Sequence, residues 1–274
     1  MKKHIAILFF MITLISCEKE ANVKLPETKS MPVIFCYISP SDTLITLKLS
    51  MSQPLFERQS QNISEPVKDA NVTLSSAQGN IFLIYNSNKN SYCASTSTYP
   101  IIAGQTYKVG VTLNNGDYAE AETTVPDKNI PILSASVQTV TANNYEYLRF
   151  KIGFQDDATQ TNYYRVAMSS IQYYMNNDTI ISETGVRKTY SDANKNGEFL
   201  DINFDMYDQW QSPTTVGYNI YLLNTNKDYY LLYTSLNNYQ EGNPFAEPSL
   251  IYTNIKGGLG VFAAYTLSKY RLNN

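Results

Sequence analysis

The side chains able to do chemistry are few, and their types exclude more than they offer. The only histidine, His4, lies in an N-terminal leader. Once that leader is cleaved, Ser-His-Asp, Cys-His and histidine-metal arrangements lack their base or ligand. No Gly-x-Ser-x-Gly elbow, phosphate-binding loop or dinucleotide fingerprint is present. Carboxylates remain. Asp156, Asp157, Asp201 and Asp205 could serve a glycosidase only if the fold sets two of them across a sugar, and surface solvation is their plainer use. One run has the look of a metal loop: Asp192, Asn194 and Asn196 alternate as oxygen ligands, Gly197 permits a sharp turn and Glu198 comes next. The match is incomplete, since the twelfth position is Asn203 rather than a bidentate carboxylate and Lys195 puts a cation inside the loop. An Asn-Gly hairpin turn between Tyr190 and Phe199 accounts for the same residues without an ion. These side chains therefore predict no catalytic residue and no cofactor, with calcium as the one candidate.

The N-terminal residues decide where the chain resides. Lys2 and Lys3 precede an apolar run from Ile5 to Ile15 that is too short to span a bilayer, which reads as a signal peptide over residues 1–16. Leu14-Ile15-Ser16-Cys17 resembles the bacterial lipobox, so Cys17 is the expected lipidation site and palmitate-type chains the expected anchor. Each buried methylene adds roughly 0.8 kcal/mol, so two or three chains hold the protein to a membrane for good. Residues 17–32, with Pro26 inside, then read as a polar tether. Lys2 and Lys3 leave with the leader, so the 21 basic groups fall by two against 24 acidic ones. The net of about −5 argues against nucleic acid as a partner.

Beyond the tether, apolar and polar residues alternate. Val33, Phe35 and Tyr37 face away from Ile34, Cys36 and Ile38, and Ile45, Leu47 and Leu49 from Thr46, Lys48 and Ser50. Asp69–Leu74, Ile81–Tyr85, Thr106–Leu113 and Tyr118–Val125 continue the period, with Asn114-Asn115-Gly116-Asp117 as a turn. Residues 33–126 are thus expected to form an immunoglobulin-like or transthyretin-like β-sandwich. Pro126 and Pro131 break the period, and residues 131–274 are expected to form a second β-rich domain. Its strands begin at Tyr147–Phe154, Tyr163–Tyr174 and Val216–Leu223. Tyr229, Leu232, Tyr233, Leu236 and Tyr239 then share one helical face, with Thr225 or Asn226 as cap. A final apolar strand at Val261–Leu267 is long enough to lie centrally in a sheet. Cys36 and Cys93 could bridge the sandwich only with Cα atoms within about 7 Å. Buried free thiols are the simpler expectation.

Asn243–Phe262, reading NPFAEPSLIYTNIKGGLGVF, resembles the C-terminal signature of the Bacteroidetes outer-membrane lipoproteins grouped as the domain of unknown function 4249 family. Tyr37–Pro40, Ser52–Phe56, Val67–Val72, Ala103–Tyr107 and Tyr190–Asp192 fall in the expected order, whereas Cys36 stands where glycine is expected. The resemblance implies an outer-membrane lipoprotein, often encoded near TonB-dependent receptors, and transfers no catalytic residues. Cys17-Glu18-Lys19-Glu20 is similar to the surface-transfer signal of such lipoproteins, or is a solvated linker. Asp42-Thr43-Leu44 and Asp178-Thr179-Ile180 resemble their O-glycosylation site, making Thr43 and Thr179 candidate acceptors. Phe245 and Glu247, held in a loop by Pro244 and Pro248, are candidates for a partner surface. The function expected is a binding protein, accessory to a TonB-dependent receptor; the alternatives are a structural or adhesive surface protein for glycan or another cell and, behind it, an enzyme of unrecognised type.

Overall fold

The computed structural model describes residues 29–53, 65–142, 145–173, 179–207, 215–239 and 250–273. It is mainly β, with one helix near the C-terminus among the described residues. The first seven strands are β1 (Pro32–Ile38), β2 (Leu44–Met51), β3 (Asn71–Ser76), β4 (Gly79–Asn86), β5 (Ser91–Ser95), β6 (Thr106–Thr112) and β7 (Tyr118–Thr124). They hydrogen-bond in the order β1-β2-β5-β4-β3-β6-β7. The sandwich expected here is thus a continuous ladder that folds over one core. Ile34, Ile38, Ile45, Leu47, Leu74, Tyr107, Val109 and Val111 all bury fully in it, each on the inward phase of its strand. The turn read at Asn114–Asp117 is present: Leu113 N–H donates to the Asp117 carbonyl at 2.9 Å and Gly116 takes φ +88°.

The second half supplies β8 (Ser134–Ala142), β9 (Tyr145–Gln155), β10 (Tyr163–Tyr173), β11 (Thr179–Ser191), β12 (Phe199–Tyr207) and β13 (Thr215–Thr225), then helix α1 (Lys227–Asn238) and β14 (Leu259–Asn273). β12-β9-β8 form a separate three-stranded sheet, while β11-β10-β13-β14 extend the first ladder to eleven strands. The two layers enclose a second core around Phe150, which stacks on Phe204 at 5.3 Å and meets Tyr218 edge-on at 4.8 Å. β11 and β12 therefore lie in different sheets, and the Asn-Gly segment joining them is a crossover rather than the hairpin turn the sequence suggested. The periodicity marks a turn there equally well in both cases; only the pairing distinguishes them.

Between the two cores the linker is fastened. Lys128 O accepts from Thr266 Oγ1 at 2.8 Å and from Asn224 Nδ2 at 3.0 Å, and Asn129 Oδ1 accepts from Ser268 at 2.8 Å. Lys128 Nζ also meets the buried Asp157 carboxylate at 2.7 Å. β14 does the rest: its first half pairs in parallel with β1, and its second half runs antiparallel to β13. The strand expected at Val261–Leu267 is thus longer than its apolar run and lies centrally. Its entry is tight. Gly260 (φ +100°) pairs with Ile34, and Gly257 (φ +76°) lies against the Tyr118 carbonyl where Lys256 bridges to Glu120 on β7. A side chain at either place would run into backbone.

Candidate functional site

The residues singled out in the sequence are scattered over the fold. Cys17, Phe245 and Glu247 lie outside the described residues, as does the side chain of Thr179, whose backbone opens β11. The acidic residues are occupied in holding the fold. Asp205 receives both ends of Arg149 (2.8 and 3.0 Å) across the β9–β12 ladder, and Asp201 pairs with Lys151 at 3.0 Å. Arg149 holds the Asp205 carboxyl below its ordinary range, and Lys128 does the same for Asp157. Asp156, 4% exposed, accepts from Tyr164 OH at 2.5 Å, Gly197 N–H at 2.6 Å and Asn162 Nδ2 at 3.3 Å.

The candidate calcium loop has one buried and three exposed members. Asp192 is buried and accepts the Asn162 N–H at 2.9 Å, while Asn194, Asn196 and Glu198 are exposed and Asn196 donates to the Ala158 carbonyl. Lys195 N–H and Glu198 N–H close two successive turns back onto the Asp192 and Lys195 carbonyls. Among the described residues no three His, Cys, Asp or Glu side chains gather closely enough to hold a metal. Cys36 and Cys93 are free. Cys36 is packed in the first core, whereas Cys93 faces out between the inward Tyr92 and Ala94, and β2 lies between their strands. Burial pushes the Cys36 thiol far up, so it does not ionise.

The feature that sequence reasoning missed is an open groove of about 480 Å3 on the outward face of β1 and β2. Its lining residues are Phe35, Tyr37, Asp42, Leu44, Thr46, Lys48 and Tyr265. The pairing sets them in rungs. Phe35 opposes Lys48, Tyr37 opposes Thr46, and the β1–β2 turn brings Asp42 over Tyr265 at the head of the groove. Tyr265 OH donates to the Asp42 carboxylate at 3.2 Å. Burial nonetheless raises the Asp42 carboxyl above its usual range, against the lowering effect of Tyr265 and the Ser39 backbone. Neither Asp42 nor Lys48 is in an ion pair among the described residues.

Helix α1 packs against two of the lining rings, Tyr37 and Tyr265. Its start is fixed by Asn226, whose side chain accepts from Tyr229 N–H at 3.1 Å, the cap that the polar residue before the periodic stretch predicted. Tyr229 and Leu232 bury against Val261, Ala263 and Leu223, while Leu236 and Tyr239 of the expected face remain exposed. Tyr37 meets Tyr229 edge-on at 5.3 Å, Tyr229 lies 6.1 Å from Tyr265, and buried Arg165 covers the Tyr233 ring at 3.5 Å. These rings lock each other, so the groove is shaped in advance of any ligand. Aromatic side chains at Phe35 and Tyr37 on an outward phase were the signal available in the sequence.

This arrangement defines a mainly β protein in which two layered cores share one long strand and a helix packs against two of the rings that line an open groove. Within that class the chain belongs to the family described as Domain of unknown function (DUF4249), whose model matches residues 18–271. The likeness carried by the Asn243–Phe262 run therefore extends over almost all of the chain. No curated protein matches it.

Proposed function

We propose that the protein is a lipid-anchored binding protein of the outer membrane, accessory to a TonB-dependent receptor, for which it holds a ligand or on which it docks. The observation that carries the reading is the preformed groove, concave and aromatic with a few placed polar groups, which is the usual make-up of a ligand site. The leader ending in Leu14-Ile15-Ser16-Cys17 supports the anchor. Phe82 and Ile84 support docking: they stand 59% and 70% exposed on the outward phase of β4, an apolar pair of the kind that protein contacts use.

Purification of the tagged chain from detergent-solubilised outer membranes tests the reading. A stoichiometric receptor is the expected companion; a lone monomer would favour the adhesive alternative. Replacing Cys17 with serine should abolish palmitate labelling and release the protein from the membrane fraction, and a serine variant that still sediments with membranes would remove the anchor. Thr43, exposed in the β1–β2 turn, is accessible to a glycosyltransferase. Intact-mass measurement from the native host should show sugar beyond the lipid, and a mass accounted for by lipid alone would exclude it.

A further inference from the structure

Two opposite charges stand at the two ends of the groove. Leu44, beside Asp42, and Lys48 are four residues apart on one strand, a span of roughly 13 Å at about 3.3 Å per residue. Between them the walls are Phe35, Tyr37, Leu44 and the Thr46 hydroxyl. We propose that the groove binds a short peptide with free termini, its ammonium at Asp42 and its carboxylate at Lys48. About three or four extended residues cover that span. The chemistry of each end fits. Tyr265 bonds Asp42 and the Tyr37 ring lines the same groove, so an ammonium there gains a carboxylate in an aromatic-lined site. The partly buried Asp42 carboxylate has only hydroxyl and backbone donors, and a cation restores what burial took from it. At the other end Lys48 is exposed, unpaired among the described residues and opposite the Phe35 ring. A neutral sugar would use the aromatic walls but leave both charges unmatched, whereas the two peptide termini match both.

The inference rests on the binding-protein reading and can fail apart from it. Isothermal titration of the full chain in detergent with Ala-Leu-Ala should give binding. Acetylating the peptide's amine or amidating its carboxylate should each weaken that binding by about tenfold or more. D42N should reproduce the loss seen on acetylation and add nothing to it, and Lys48→Met should do the same for amidation. The blocked peptides leave the protein untouched, so the test stands even where a variant does not fold. Absence of binding, or binding indifferent to both blocks, overturns the proposal, as does maltotriose binding in place of the peptide. A receptor that co-purifies with a chain indifferent to the peptide removes this ligand class and retains the accessory role.

Discussion

Replacing Gly260 with alanine should cost about 4 kcal/mol or more, enough to unfold a chain of ordinary stability. Two effects add. Gly260 holds φ +100°, where an L side chain is strained. Its added Cβ would also run into the Ile34 carbonyl oxygen and lie 2.9 Å from the carbonyl carbon. Those atoms are backbone in the parallel β1–β14 ladder, so nothing can swing aside, and relief requires separating the strands. Gly116 provides the comparison, with φ +88° but open space around its Cβ position. Gly116→Ala should therefore show strain alone, about 1–2 kcal/mol. Chemical denaturation of the two variants reads the difference directly. Equal losses would mean that the close approach at Gly260 contributes nothing.

Asp156→Ala should be nearly as severe, at about 3–5 kcal/mol, or a drop of roughly 8–15 °C in melting temperature. The carboxylate gathers Tyr164 OH, Gly197 N–H and Asn162 Nδ2 into one buried knot between the second core and the β11–β12 crossover. Removing it leaves the buried Tyr164 hydroxyl without its acceptor, and a buried donor without a partner costs its whole desolvation, whereas Asn162 Nδ2 keeps the Asp157 and Gln160 carbonyls. Asp156→Asn should lose less, because its carbonyl still accepts from one of them. The alanine variant also removes the charge that helps raise the Asp192 carboxyl, an offset smaller than three lost bonds. A melting curve unchanged by alanine would show the knot to be solvated. It would also reopen Asp156 to a chemical role.

The strands were legible because one face of each is buried. Ile34, Cys36 and Ile38 against Phe35 and Tyr37 is a period-two pattern that any half-covered ladder demands. The helix was legible for the same reason at the other period, and its cap at Asn226 is a local hydrogen bond. Pairing was not legible. That β1 adjoins β14, and that β12 leaves β11 for another sheet, depends on contacts between residues far apart in the chain, which alternation does not encode. The groove fell into that gap. Asp42 reads as part of a modification signal and Lys48 as one polar residue of an alternating strand; only the pairing of β1 with β2, and Tyr265 brought alongside from β14, make them two ends of one site. The acidic residues mislead the other way, since a spacing suited to catalysis or calcium serves ion pairs and turns once their neighbours are known.

The long shared strand also sets the order of events in the protein's life. Synthesis runs from the N-terminus, so β1 emerges near the beginning and its neighbour β14 at the very end, with Val33 awaiting Leu259. Until then one border of the first ladder lacks its partner, and the Phe262 and Ala264 places in its core are empty. Native structure that depends on such distant pairing forms slowly. The β1 border and both cores are therefore completed only when β14 arrives, and a premature stop shortly before Leu259 would deprive both cores at once.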